Sequence, residues 1–100
     1  MEFYLTNQGF TAEQEKRLRR TVERHGDQLW SAICDTFHPG SRILPRKLRE
    51  LRGYSPAYAS HVLVTVLANI LAEYEVKKLP DCPIIRKSGR NGKNGRYWLV

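Results

Sequence analysis

Apolar positions along the chain recur at helical spacing up to about residue 78 and then switch to the alternation of strands. Thr11-Ala12-Glu13-Gln14 forms a capping box, in which the Thr11 hydroxyl accepts the Gln14 N–H and Gln14 reaches back. The helix it opens has Leu18 and Val22, with Thr21 and His25, on a narrow inner face. Lys16, Arg17, Arg19, Arg20 and Arg24 occupy much of the remainder, and with Glu13, Glu15 and Glu23 they read as an ion-paired surface. Gly26 suits the left-handed end of that helix, and Asp27 caps a second. In the second, Leu29, Trp30, Ile33, Cys34 and Phe37 make a wide apolar stripe, with Trp30 in the core. His38-Pro39-Gly40-Ser41 breaks it.

Arg42-Ile43-Leu44 is expected to be extended, because Pro45 disfavours helix at the preceding residue. Pro45 then starts a third helix to about Arg52, with Leu48 and Leu51 inward and Arg46, Lys47, Arg49 and Arg52 outward. Gly53-Tyr54 is a tight turn. Ser55 is an N-cap and Pro56 the first residue of a fourth helix running to about Lys78. Pro83 to Lys87 and Arg96 to Val100 read as two strands joined by a loop with two Asn-Gly pairs, Asn91-Gly92 and Asn94-Gly95. The fold class is therefore mainly α with a C-terminal β-hairpin. It is organised as one domain: an N-terminal helical pair (1–40), a helix-turn-helix with a long last helix (42–79) and the hairpin (82–100).

Composition narrows the partners. One hundred residues allow one core, and 41% hydrophobic residues suffice to fill it. Lys+Arg 17 against Asp+Glu 10 leaves a net charge of +7, which points to an anionic partner. Two cysteines make no disulfide framework, and Met1-Glu2-Phe3-Tyr4 lacks the basic-then-apolar start of a signal peptide. The expectation is a reduced, cytoplasmic protein, at the nucleoid or in the nucleus if bound to DNA. Val62 to Ala72 is interrupted by Thr65 and Asn69 and reads as a buried helix, not a membrane anchor.

Arg46 to Leu63 resembles a helix-turn-helix, and its Gly-x-Ser-Pro turn is similar to those of many bacterial winged-helix regulators. Pro83 to Val100 resembles the wing, so the likeness to winged helix-turn-helix proteins covers Arg42 to Val100, with an extra N-terminal helix. Phe10 to Ile33 is similar to a Myb/SANT repeat, although the third aromatic of that family is replaced by Leu51 or Arg52. Both resemblances imply a trihelical core. The winged-helix one implies that Ala57, Tyr58, Ser60 and His61 face base edges in the major groove of double-stranded DNA. Arg46, Lys47, Arg49 and Arg52 would grip phosphates from one flank. From the hairpin, Arg86, Lys87, Arg90, Lys93 and Arg96 would do so with no acidic residue from Pro83 onward. The implied function is a small basic DNA-binding protein, a transcriptional regulator or mobile-element accessory factor.

The alternative is an adaptor or inhibitor that docks on a nucleic-acid-binding complex, and the lack of Arg or Lys on the reading segment favours it. No nucleophile–base or carboxylate pair stands out, and the Gly/Lys/Asn loop has no P-loop signature, so no enzyme and no cofactor are expected. Cys34 and His38 have a zinc-compatible i, i+4 spacing. Only His25, His61 or Cys82 would remain to complete a site, and the expectation is no metal, with Cys34 a buried thiol. Val62 to Leu71 is apolar nearly all round, which predicts a homodimer through Val64, Leu67, Leu71 and their neighbours.

Overall fold

A computed structural model describes residues 1–87 and 96–100. The Thr11 capping box forms in both directions, and from it α1 runs Ala12–Thr36 without a break. Gly26 is neither a stop nor a left-handed residue. It is buried inside α1, and a Cβ there would come within 2.7 Å of the Met1 Cβ. Glycine is a poor helix former, but here its missing side chain is the space into which Met1 fits. Asp27 caps nothing and instead binds the Met1 amino group at 2.9 Å. The expected helical pair is thus one helix, and its buried stripe is Val22, Gly26, Leu29, Ala32 and Ile33. On that phase Trp30 is only half-buried at the core's margin and Cys34 is exposed, against expectation. The charged side of α1 holds one ion pair between its own side chains among the described residues, Arg17–Glu13 at 3.8 Å, while Arg19 lies over the Phe3 ring.

The third helix is absent. Pro45–Lys47 and Arg49–Leu51 are two 3-10 turns, separated by Leu48 in an extended conformation. The stretch between Pro45 and Gly53 is too short to offset the cost of nucleating an α-helix. Two tight turns serve the same end, burying Leu48 and Leu51. Gly53, at φ +92°, takes the left-handed position that turns the chain into the next helix.

Ser55 then caps α2, Pro56–Val76, by accepting the Tyr58 N–H at 3.2 Å. Ser55→Ala is expected to lower stability by about 1 kcal/mol, with Ser55→Asp retaining most of it; thermal denaturation of the pair checks this. α2 is long and apolar enough to cross a membrane, but half of its apolar window is packed inside the fold. Val62, Leu63, Val66, Leu67 and Ile70 meet the second half of α1, the 3-10 turns and the hairpin in the main core. A second part of its circumference, toward its C-terminal end, is covered from an unexpected direction. Phe3 and Leu5 pack against Val22 of α1 and Ala72 of α2 in a second cluster. Asn69, fully buried, ties this N-terminal segment down: its Oδ1 accepts the Tyr4 N–H at 2.7 Å and its Nδ2 donates to the Glu2 carbonyl at 2.8 Å. Leu67, expected at a dimer interface, is therefore enclosed within the chain. Val64 is 43% exposed and Leu71 half-buried.

The terminal hairpin pairs β1, Ile84–Lys87, antiparallel with β2, Arg96–Leu99, in the register Ile84↔Leu99 to Lys87↔Arg96. The second edge of β2 is taken by residues 41–43. The Ile43 N–H donates to the Tyr97 carbonyl at 2.9 Å, the Leu99 N–H donates to the Ser41 carbonyl at 3.0 Å, and Arg42 stands opposite Trp98. Ile84, Tyr97 and Leu99 face the core. The architecture is thus mainly helical with a C-terminal hairpin and one added extended segment.

Candidate nucleic-acid interface

Side-chain alternation divides the ribbon into two faces. Arg42, Ile85, Trp98, Lys87 and Arg96 share the outer one by register, and the Lys87 ammonium lies 4.9 Å from the Trp98 ring centroid. Arg86 stands on the other face, opposite the buried Tyr97, and so is separated from Lys87 and Arg96. Burial pushes the Tyr97 phenol up, with the Arg86 guanidinium acting in the opposite sense.

A cleft of ≈ 380 Å³ joins this ribbon to α2, with Arg42 and Arg96 on one wall, Ser60 and Val64 on the other, and Pro45 at the end. An adjoining cleft of ≈ 220 Å³ continues past Pro45 and Ser60 to Arg46, Arg52 and Tyr54. Arg42, Arg46 and Arg96, from separate parts of the chain, thus border one continuous surface around Ser60. Among the described residues, none of the three has a carboxylate within ion-pairing distance.

The other expected contacts do not join it. Lys47 and Arg49 line a different cleft with Asp35 and Glu50. Two 3-10 turns aim successive side chains differently from the single helix that would have put all four cations outward. Tyr58 and His61 are exposed, but on α2 they stand about 160° and 100° around the axis from Ser60. Tyr58 belongs to an aromatic row in which His25, Tyr54, Tyr58 and His61 follow one another at ring-centroid distances of 6.1, 4.9 and 6.4 Å. His61 also lines a cleft with Phe10, Gln14, Arg17 and Leu18. Burial and then the neighbouring Arg24 charge lower the His25 pKa, so protonation works against the folded arrangement and deprotonation does not. Arg90 and Lys93 lie outside the described residues.

Arg42 was not among the residues expected to contact DNA. Its signal was the extended segment before Pro45, which is free to pair with a strand and so places alternate side chains on a sheet face. His, Cys, Asp and Glu form no group of three able to hold a metal among the described residues. No protein-family model matches the chain, and no curated protein or solved structure matches it.

Proposed function

We propose that this protein binds double-stranded DNA as a winged helix-turn-helix module whose second helix has contracted to two 3-10 turns. The element order supports this reading: a helix, an extended segment pairing with the terminal ribbon, a turn region, a capped helix and a hairpin. The observation that carries it is the surface around Ser60, where Arg42, Arg46 and Arg96 converge without acidic partners among the described residues.

In this arrangement the start of α2 enters the major groove, which is wide enough for one helix. Ser60 offers a hydroxyl to a base edge, and Ala57 and Val64 offer apolar contact to thymine methyls. Arg42, Arg46, Lys87 and Arg96 hold phosphates on either side. Regulation of transcription or service to a mobile element is the biological setting we propose for such a module, inside the cell.

Binding of a labelled duplex across a salt series tests this. Each phosphate contact contributes a slope of about −0.9 in log affinity against log salt, so Arg42→Ala with Arg96→Ala is expected to flatten the slope by about 1.8. An unchanged slope overturns the assignment of this surface. No binding to any duplex at low salt would replace DNA by a protein partner, a reading that the uncharged exposed face of α2 favours.

A further inference from the structure

The aromatic row meets the surface assigned to duplex DNA only at Tyr54 and otherwise runs away from it, over His25, Tyr58 and His61. Tyr54 is 39% exposed, Tyr58 is 42% exposed, and Phe10 nearby is 44% exposed. Large aromatic side chains left this open are informative when they are contiguous. The row runs from the middle of α1 across the Gly53 turn to the start of α2, so three rigidly packed pieces of backbone hold it.

Cations border it throughout. Arg24 shares a cleft of ≈ 260 Å³ with His25 and Tyr54, with Glu50 the acidic residue there. Arg46 and Arg52 share the next cleft with Tyr54. Arg17 shares a cleft of ≈ 280 Å³ with Phe10 and His61 at the far end. Rings interleaved with guanidinium groups are what an unpaired nucleic-acid strand requires: π-faces for its bases, positive charge for its phosphates. A duplex cannot use such rings, because its base faces are already stacked. The charge complementarity selects a polyanion over an apolar peptide.

We infer that the row His25–Tyr54–Tyr58–His61 is a second nucleic-acid surface, which takes a single-stranded segment with bases against Tyr54 and Tyr58 and phosphates on Arg17, Arg24 and Arg52. This stands independently of the duplex reading. A protein with both surfaces would bind where a duplex opens into a single strand.

The test uses the full chain with a labelled oligothymidylate, the matching oligouridylate and a hairpin-closed duplex, at low salt. The variant Tyr54→Ala with Tyr58→Ala is expected to bind single strands at least about tenfold more weakly. The variant Tyr54→Phe with Tyr58→Phe keeps most of the affinity, because stacking needs the rings and not the hydroxyls. Thermal denaturation of both variants establishes that they are folded. Tighter binding of one oligonucleotide identifies the strand as DNA or RNA, and equal binding assigns the site to the chemistry the two share. No binding of either oligonucleotide, an Ala pair that binds as the parent does, or a Phe pair as weak as the Ala pair overturns the inference. Duplex affinity is expected to be unchanged in Tyr58→Ala alone, which lies outside both clefts assigned to the duplex, and single-strand affinity unchanged in Arg42→Ala with Arg96→Ala, so the two readings fail separately.

Discussion

Asn69→Leu is expected to destabilise the protein by about 2–3 kcal/mol, although it replaces a polar side chain in an apolar surrounding with an apolar one of similar size. The Asn69 amide uses both ends, accepting from the Tyr4 N–H and donating to the Glu2 carbonyl. Leucine leaves both part-buried backbone groups without their partner, and each such group costs about 1–3 kcal/mol where water does not replace the bond. The N-terminal segment then has to leave, which uncovers Phe3 and Leu5 along with the Val22 and Ala72 surface they cover. Urea denaturation of the variant gives the loss, and hydrogen exchange at the Tyr4 amide gives its location. A stability within about 0.5 kcal/mol of the parent, the range of ordinary surface changes, would show that the segment is not held this way.

The second large effect concerns α2. Leu67→Ala removes a side chain with no solvent exposure from the junction of α2, the turns and the ribbon, and is expected to cost about 2–5 kcal/mol. Val64→Ala, one turn away on the exposed side, is expected to cost less than about 1 kcal/mol. Denaturation of both variants at two protein concentrations makes the comparison decisive. A Val64→Ala variant as costly as Leu67→Ala, with a midpoint that depends on concentration, would mean that a second copy covers Val64.

What was legible in the sequence was local. The Thr11 capping box, the Ser55 cap with Pro56 after it and the break at His38-Pro39-Gly40 each depend on residues within a turn of one another, and all appear as expected. The two strands of the hairpin were legible from their period-two pattern, and the Asn-Gly loop expected between them lies outside the described residues. What escaped depends on contacts between residues far apart. Gly26 has the chemistry of a helix end, yet it lies inside α1 with the distant Met1 packed against it. Asn69 looked like an interruption in an apolar run until the distant Tyr4 and Glu2 backbone supplied its partners.

The candidate site was legible in residue type and obscure in direction. The basic residues flanking the start of α2 were legible as a group. Their faces were not, because Lys47 and Arg49 were phased on a helix that does not form. Ser60, Tyr58 and His61 were grouped by the winged-helix resemblance, while α2 turns Ser60 toward the ribbon and sets Tyr58 and His61 in the aromatic row.

β2 is hydrogen-bonded along both margins, to β1 on one side and to residues 41–43 on the other. The spacing between the Arg42 and Arg96 backbone positions is consequently set by the lattice of the sheet, like the hinges of a locked caliper. On the proposed reading such a gauge fixes where the two side chains begin, and the side chains alone adjust to the separation of the anions they meet. A strain applied to the C-terminal strand would also travel through these hydrogen bonds into the stretch preceding Pro45, moving the two backbone anchors as a unit.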